Sequence, residues 1–248
     1  MYGVRHRHSQ CAQLLGFAWH DHDVQQQFWK KPSLPLESPL ITRRDLRIVT
    51  APDPNPADFL APCETIDCTH PAVVACAREL AAAHDDRVSI ARACFEFVRD
   101  QISHSGDARA DILTCRASEV LQHGTGWCFA KSHLLAALLR ANGIPAGLCY
   151  QRLRKYDEGS EFTLHGLNAL WLDDHGWYRC DARGDKPGIS TAFAPPHEHL
   201  AWPAHAPGEM SFSAILPRPL PLIVDYLHSV HGWQAAMDAL PDAETLPW

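Results

Sequence analysis

The chain has 248 residues, 46% of them apolar, which suits one core-forming domain with an appendage. The formal charge of −7 comes from 22 basic and 29 acidic residues, well mixed. The absence of a basic stripe excludes nucleic acid as an expected partner, and no run approaches the roughly 18 apolar residues of a membrane span.

The first stretch, MYGVRHRHSQCAQLLGFAWHDHD, has too short and too interrupted an apolar part for a signal peptide, and no small-residue cleavage site follows. Nine cysteines, none in a Cys-x-x-Cys pair, are therefore expected as reduced thiols in the cytosol. Residues 1–35 read as an N-terminal extension with solvated histidines and weak helix around Cys11 to Trp19. Leu46 and Ile48 in RRDLRIVTAPD alternate as in a strand, and prolines make PDPNPADFLAPCE a loop. Cys63, Cys68 and His70 lack the tight paired spacing of structural zinc, so no metal is expected there.

THPAVVACARELAAAHD predicts a helix capped by Thr69 with Pro71 in its first turn. DRVSIARACFEFVRDQISHS predicts a second, with Ile90, Cys94, Phe97 and Val98 on one face. TCRASEVLQHG predicts a short third, capped by Thr114 and stopped by Gly124. A fourth starts near Cys128, presents Leu134, Leu135, Leu138 and Leu139 as one broad apolar face, and ends at Gly143. AGLCYQRL, FTLHGLNALWL and GWYRCDA then read as strands. A proline-rich stretch runs to about residue 221, and LIVDYLHSVHGWQAAMDAL carries a helix pattern. Helices followed by strands predict an α+β fold.

The chemistry gathers at GTGWCFAKSHLLAALLRANGIP. A helix N-terminus has free N–H groups and the positive end of the dipole, which stabilise a thiolate placed there. Cys128 is expected at that position, after a Gly-Thr-Gly turn. A nucleophilic thiol needs a base and an orienting group. His165 lies in one later strand and Asp181 in the next, joined by the turn DDHG. A four-residue loop would pair Asn168 with Asp181 and put His165 on the opposite face. A type I turn with Gly176 as the left-handed bulge residue pairs Asp173 with Trp177 and Ala169 with Asp181. His165 then shares the face of Asp181, two pair steps away. Asn168 has the opposite parity to His165, and His133, at i+5 on the helix, points off the face of Cys128.

These three segments together resemble the bacterial transglutaminase-like cysteine-enzyme superfamily. The shared features are a Gly-x-Cys at a helix start, a Leu-Leu-Arg-x-x-Gly-Ile-Pro helix end, a strand histidine and a hairpin aspartate, over roughly residues 58–195. The resemblance implies a papain-like α+β core, with residues 36–195 as the catalytic domain and 196–248 as a Pro-rich segment and C-terminal helix packed on it. It implies Cys128 as nucleophile, His165 as base and Asp181 as orienter, with no cofactor. The implied activity is acyl transfer at an amide bond through a thioester, by a peptidase, amidase or transamidase. Its substrate is a peptide or small amide, with water or an amine as acceptor. The alternatives are a thioester-dependent N-acyltransferase and an inactive binding scaffold on the same fold. Animal members have Trp after the cysteine, whereas here Trp127 precedes it and Phe129 follows. Gln122, six residues before Cys128, is an oxyanion candidate, although a helix-end surface residue is the plainer reading. Trp127 is read as pocket wall or core, and Arg183 as a partner for an acidic substrate or a loop brace.

Overall fold

The structure, a computed structural model, describes residues 54–156 and 159–246. The extension 1–35 and the strand expected in RRDLRIVTAPD lie outside the described residues. After a 3-10 turn at Pro56–Phe59 come helices α1 (Pro71–Ala81) and α2 (Arg87–Gln101). Strand β1 (Ser103–His104), the single turn α3 (Ser105–Ala108), α4 (Ala117–His123) and β2 (Thr125–Gly126) follow. Helix α5 spans Cys128–Ala141. Strands β3 (Ala146–Arg154), β4 (Phe162–Leu172) and β5 (Gly176–Cys180) come next. The short strands β6 (Ala192–Ala194), β7 (His197–His199) and β8 (Met210–Ser211) precede α6 (Pro221–Ser229) and α7 (Trp233–Asp238). The main sheet is antiparallel in the order β5-β4-β3-β8. No helix among the described residues is long and apolar enough to cross a membrane.

Caps and breakers differ in detail from the sequence reading. His70, not Thr69, caps α1, because its ring Nδ1 accepts the N–H of Ala72. Arg116 stands at the cap of α4, where the Glu119 carboxylate accepts the N–H groups of Cys115 and Arg116. Thr114 instead donates its hydroxyl to the Thr125 carbonyl. Helix α2 stops at Gln101 because Ile102 turns extended and Ser103–His104 pairs in parallel with Thr125–Gly126. The C-terminal helix pattern splits in two, with Gly232 at φ 83° heading the second piece.

The largest departure concerns α5. Every residue from Cys128 to Arg140 is buried, so the helix has no solvent face at all. Helices α1, α2 and α4 pack on one side of it and strands β3 and β4 on the other. Its polar residues are accommodated by backbone carbonyls. Arg140 donates to those of Ala61, Ala146 and Pro217, and Lys131 to those of Arg99 and Ile102. Asn168 of β4 donates to the carbonyl of Ser132. Residues Ile223, Tyr226 and Leu227 of α6 join this same core. The tail beyond α7 docks on the strands, through Leu164 N–H to the Pro241 carbonyl and a two-bond Arg152–Asp242 pair.

The β4–β5 hairpin has a three-residue loop, as the bulge turn expected, but shifted by one residue along the chain. Leu172 pairs Gly176 and Trp171 pairs Trp177, leaving Asp173–His175 as the loop. Gly176, at φ 72°, takes the left-handed conformation the turn requires. Asn168 pairs Cys180, so continuing the register by one residue sets Asp181 opposite Leu167. The parity that puts His165 and Asp181 on one face is kept. Their separation along the strand shrinks to one pair step.

Candidate active site

The approach to Cys128 is built from short-range features. Gly124, left-handed at φ 63°, closes α4, β2 lies against β1, and Trp127 enters α5 in an extended conformation. Cys128 is the first helical residue, and no side chain caps this end. Its neighbour Phe129 meets Gly166 of β4 closely. A Cβ at Gly166 would lie 2.8 Å from the Phe129 ring and 3.1 Å from the Phe129 Cα. Only glycine lets helix and strand come this near, and the residue before it is His165.

The three residues singled out by sequence are brought together. His165 Nε2–H donates to Asp181 Oδ2 at 2.8 Å, and Cys128 lies close enough for its charge and side chain to act on the imidazole. Cys128 is 8% exposed, His165 3% and Asp181 0%, so the interactions between them are weakly screened by water. Burial pushes the His165 pKa down, but the charges of Asp181 and Cys128 and hydrogen bonds to both outweigh it and raise it to about 10. For Asp181, burial works upward, yet His165 and the N–H groups of Ala201 and Arg183 hold the carboxyl below its ordinary range. Those N–H groups reach Oδ2 and Oδ1, each at 3.1 Å.

A cationic cluster stands beside the site. Asp107 accepts both arms of the Arg183 guanidinium, at 2.6 and 2.9 Å, and Lys186 Nζ at 2.8 Å. Burial opposes ionisation of Asp107, but Arg183 and Lys186, with His104 beside them, hold its carboxyl well below the usual range. Burial and the Arg183 charge push His104 well below an ordinary histidine. Lys131, three residues into α5 and 1% exposed, has its pKa lowered to about 7, first by burial and then by Arg183.

The remaining candidates part company. Trp127 is core: its ring is buried edge-on to His104, at 5.3 Å between centroids. Arg183 is a brace, because its buried guanidinium is committed to Asp107 and lies over the Trp202 ring. Gln122 is exposed on α4 and lines a surface groove with Thr114, Leu227 and His231, whose lining includes none of Cys128, His165 and Asp181. The helix-end surface reading of Gln122 fits this position, and the oxyanion alternative has no geometric basis. His133 turns away to the Cys115 carbonyl at 2.8 Å, and burial lowers its pKa to about 4.

Sequence reasoning missed Gly166, Asp107 and Trp202. Glycine inside a strand pattern was a usable signal for the first. Nothing local marks the other two, which reach the site from 74 and 21 residues before and after Asp181 along the chain. The Trp202 ring stands edge-on to His165 at 4.8 Å, so part of the proline-rich segment covers the His–Asp pair.

A helical layer with a cysteine opening its central helix, packed on an antiparallel sheet that carries the histidine, is a papain-like α+β core. Residues 74–182 match the family model of the transglutaminase-like superfamily. Among solved structures, the chain is similar to a proposed cysteine protease from Cytophaga hutchinsonii, at 20% identity and a TM-score of 0.42, over 51% of this chain and 41% of that one. It is also similar to the periplasmic domain of TgpA from Pseudomonas aeruginosa, at 20% identity and a TM-score of 0.36, over 52% and 47%. The chain thus spans less than half the length of either. Comparison with curated proteins returns no match.

Proposed function

We propose that this chain is a cysteine-dependent enzyme of acyl transfer at amide bonds. Cys128 is the nucleophile, His165 the acid and base, and Asp181 the orienter. The observation that carries this reading is the buried Asp181–His165 bond of 2.8 Å, with Cys128 at the start of α5 close enough for its charge to act on the imidazole. A histidine raised to about 10 is an imidazolium at neutral pH, as an ion pair with a thiolate requires.

In the first half-reaction the Cys128 sulfur attacks the amide carbonyl, and the oxyanion is received by backbone N–H groups at the uncapped start of α5. The imidazolium gives its proton to the leaving nitrogen as the C–N bond breaks, leaving a thioester. Water or a second amine then attacks. His165 takes its proton, and the C–S bond breaks to restore the thiolate. The substrate is a peptide or small amide. The free thiols of Cys63, Cys68, Cys94, Cys115, Cys128, Cys149 and Cys180 favour a reducing, cytoplasmic setting.

Iodoacetamide labelling at pH 6 tests the nucleophile. Cys128 is expected to react well ahead of the other cysteines. Labelling no faster than theirs refutes the assignment. Product masses from peptide amides, with and without added amine, separate hydrolysis from transamidation. Turnover surviving Cys128→Ala refutes the mechanism, and the inactive scaffold is supported only if no substrate yields product.

A further inference from the structure

The His–Asp pair is completed by residues outside the superfamily core. Core residues end at 182, yet Asp181 Oδ2, the oxygen that accepts from His165, also accepts the backbone N–H of Ala201 at 3.1 Å. Two donors on one oxygen fix the plane of the carboxylate. Trp202, the next residue, sets its ring at 86° to the His165 ring with centroids 4.8 Å apart, and the Arg183 guanidinium lies 5.4 Å from the Trp202 centroid. This short strap is itself held. Gln151 Nε2, on the β3 residue paired with His165, donates to the Trp202 carbonyl at 3.1 Å and to Ser211 Oγ at 2.8 Å. Upstream, Glu198 of β7 receives both arms of Arg179 from β5, at 2.8 and 2.9 Å.

We propose that Trp202 is a positioning residue, which with the Ala201 N–H holds the His165 ring in line between Asp181 and Cys128 and keeps water from the His165–Asp181 bond. The proposal rests on the acyl-transfer reading above. In that reaction His165 changes charge twice per turnover and must not rotate while it does so. Its Nε2 is tied to Asp181, so a ring turn would break that bond and take the other nitrogen away from the sulfur. The indole, nearly perpendicular to the imidazole with centroids 4.8 Å apart, crowds any such turn. Misplacement of a reacting group by about 1 Å can cost on the order of 100-fold in rate, which sets the scale of the effect.

The test compares Trp202→Ala and Trp202→Phe in the full chain. Four quantities are read: kcat and KM for amine release from peptide amides, the ring 15N signals of His165 against pH, and the unfolding midpoint. Trp202→Ala is expected to lower kcat about 10- to 100-fold with KM little changed. Water admitted to the pair should also move loss of the His165 proton to lower pH. Trp202→Phe should restore most of both. A Trp202→Ala protein with native kcat and an unmoved His165 titration overturns the proposal. So does a rise in KM alone, which would make Trp202 a substrate wall. If Trp202→Ala does not fold, Gln151→Leu loosens the strap at its carbonyl. A lowered kcat there with a near-native Trp202→Phe supports positioning, and native kinetics in both overturns it. Failure of the underlying reading shows separately, as turnover that survives Cys128→Ala. The His165 titration does not depend on that reading and then decides alone.

Discussion

Replacing Asp181 by Asn removes one charge from the site while keeping the shape of the side chain. Three N–H donors converge on this carboxylate: His165 and Ala201 on Oδ2, and Arg183 on Oδ1. An amide offers one oxygen, so at least one donor faces an NH2 group, and a buried unsatisfied donor costs about 1–3 kcal/mol. The larger effect is on His165. Its raised pKa of about 10 depends first on overcoming burial, and the Asp181 charge is the largest force doing so. Without it the value is expected at or below the ordinary 6.5. At pH 8 the imidazolium fraction then falls from about 99% to about 3%, roughly 30-fold, following the titration of a single group. Acylation needs that proton for the leaving amine, so amine release should drop by at least about 30-fold at pH 8. The deficit should shrink toward pH 6, where a histidine of ordinary pKa is again mostly protonated. Mass-detected amine release from peptide amides between pH 6 and 8 measures the first effect, and 15N ring shifts of His165 the second. A deficit of constant size across that range, or a His165 that stays protonated at pH 8 in Asp181→Asn, refutes the electrostatic reasoning.

Gly166→Ala inserts a Cβ 2.8 Å from the Phe129 ring and 3.1 Å from its Cα, so the start of α5 must move away from β4. Overpacking of this kind costs about 1–3 kcal/mol. Because Cys128 and His165 adjoin the two contact residues, activity should fall further than the loss of folded protein explains. Equal activity per folded molecule would show that the close approach does not set the site. Lys131 and His165 have opposite effects on stability against pH. His165, raised above its unfolded value, contributes stability that is present below pH 6.5 and lost as pH rises toward 10. Lys131, lowered from 10.5 to about 7, makes stability rise with pH over much the same window. Lys131→Met should therefore expose the His165 slope, with a Tm that falls between pH 7 and 8.5 more steeply than that of the parent. A parallel pH dependence in calorimetry would contradict the opposition. Arg183→Gln should lower Tm, since it unties Asp107, and should affect acidic and neutral substrates alike. A KM defect confined to acidic substrates would show that the guanidinium meets substrate after all.

Much of the fold was legible because its signals are local. Gly124, Gly143 and Gly176 punctuate the chain, each taking positive φ where the pattern changes. The alternation of FTLHGLNALWL and the apolar run after Cys128 gave β4 and α5 nearly to the residue. The resemblance in the same stretches, together with parity, was enough to name Cys128, His165 and Asp181, since a strand's period of two decides which side chains share a face. Hairpin register was not legible, because two turns of the same parity differ only in which residues hydrogen-bond across them. For Gln122 and Arg183 the plainer readings, helix-end surface residue and loop brace, fit the structure, but the sequence could not choose them outright: distance along the chain from Cys128 or Asp181 says nothing about where α4 or the loop after β5 turns in space. That α5 is buried on every side followed only from packing, because Lys131, His133 and Arg140 look like a polar face until carbonyls from distant segments are brought to them. The sequence by itself therefore determined the main helices and the three long strands, the reactive residue types and their shared face. Tertiary structure alone decided the 2.8 Å bond, the brace at Asp107 and the cover of Trp202. Hydrogen bonds and ring contacts act over a few ångströms between residues far apart in the chain, and only the closing of the core brings them within that range.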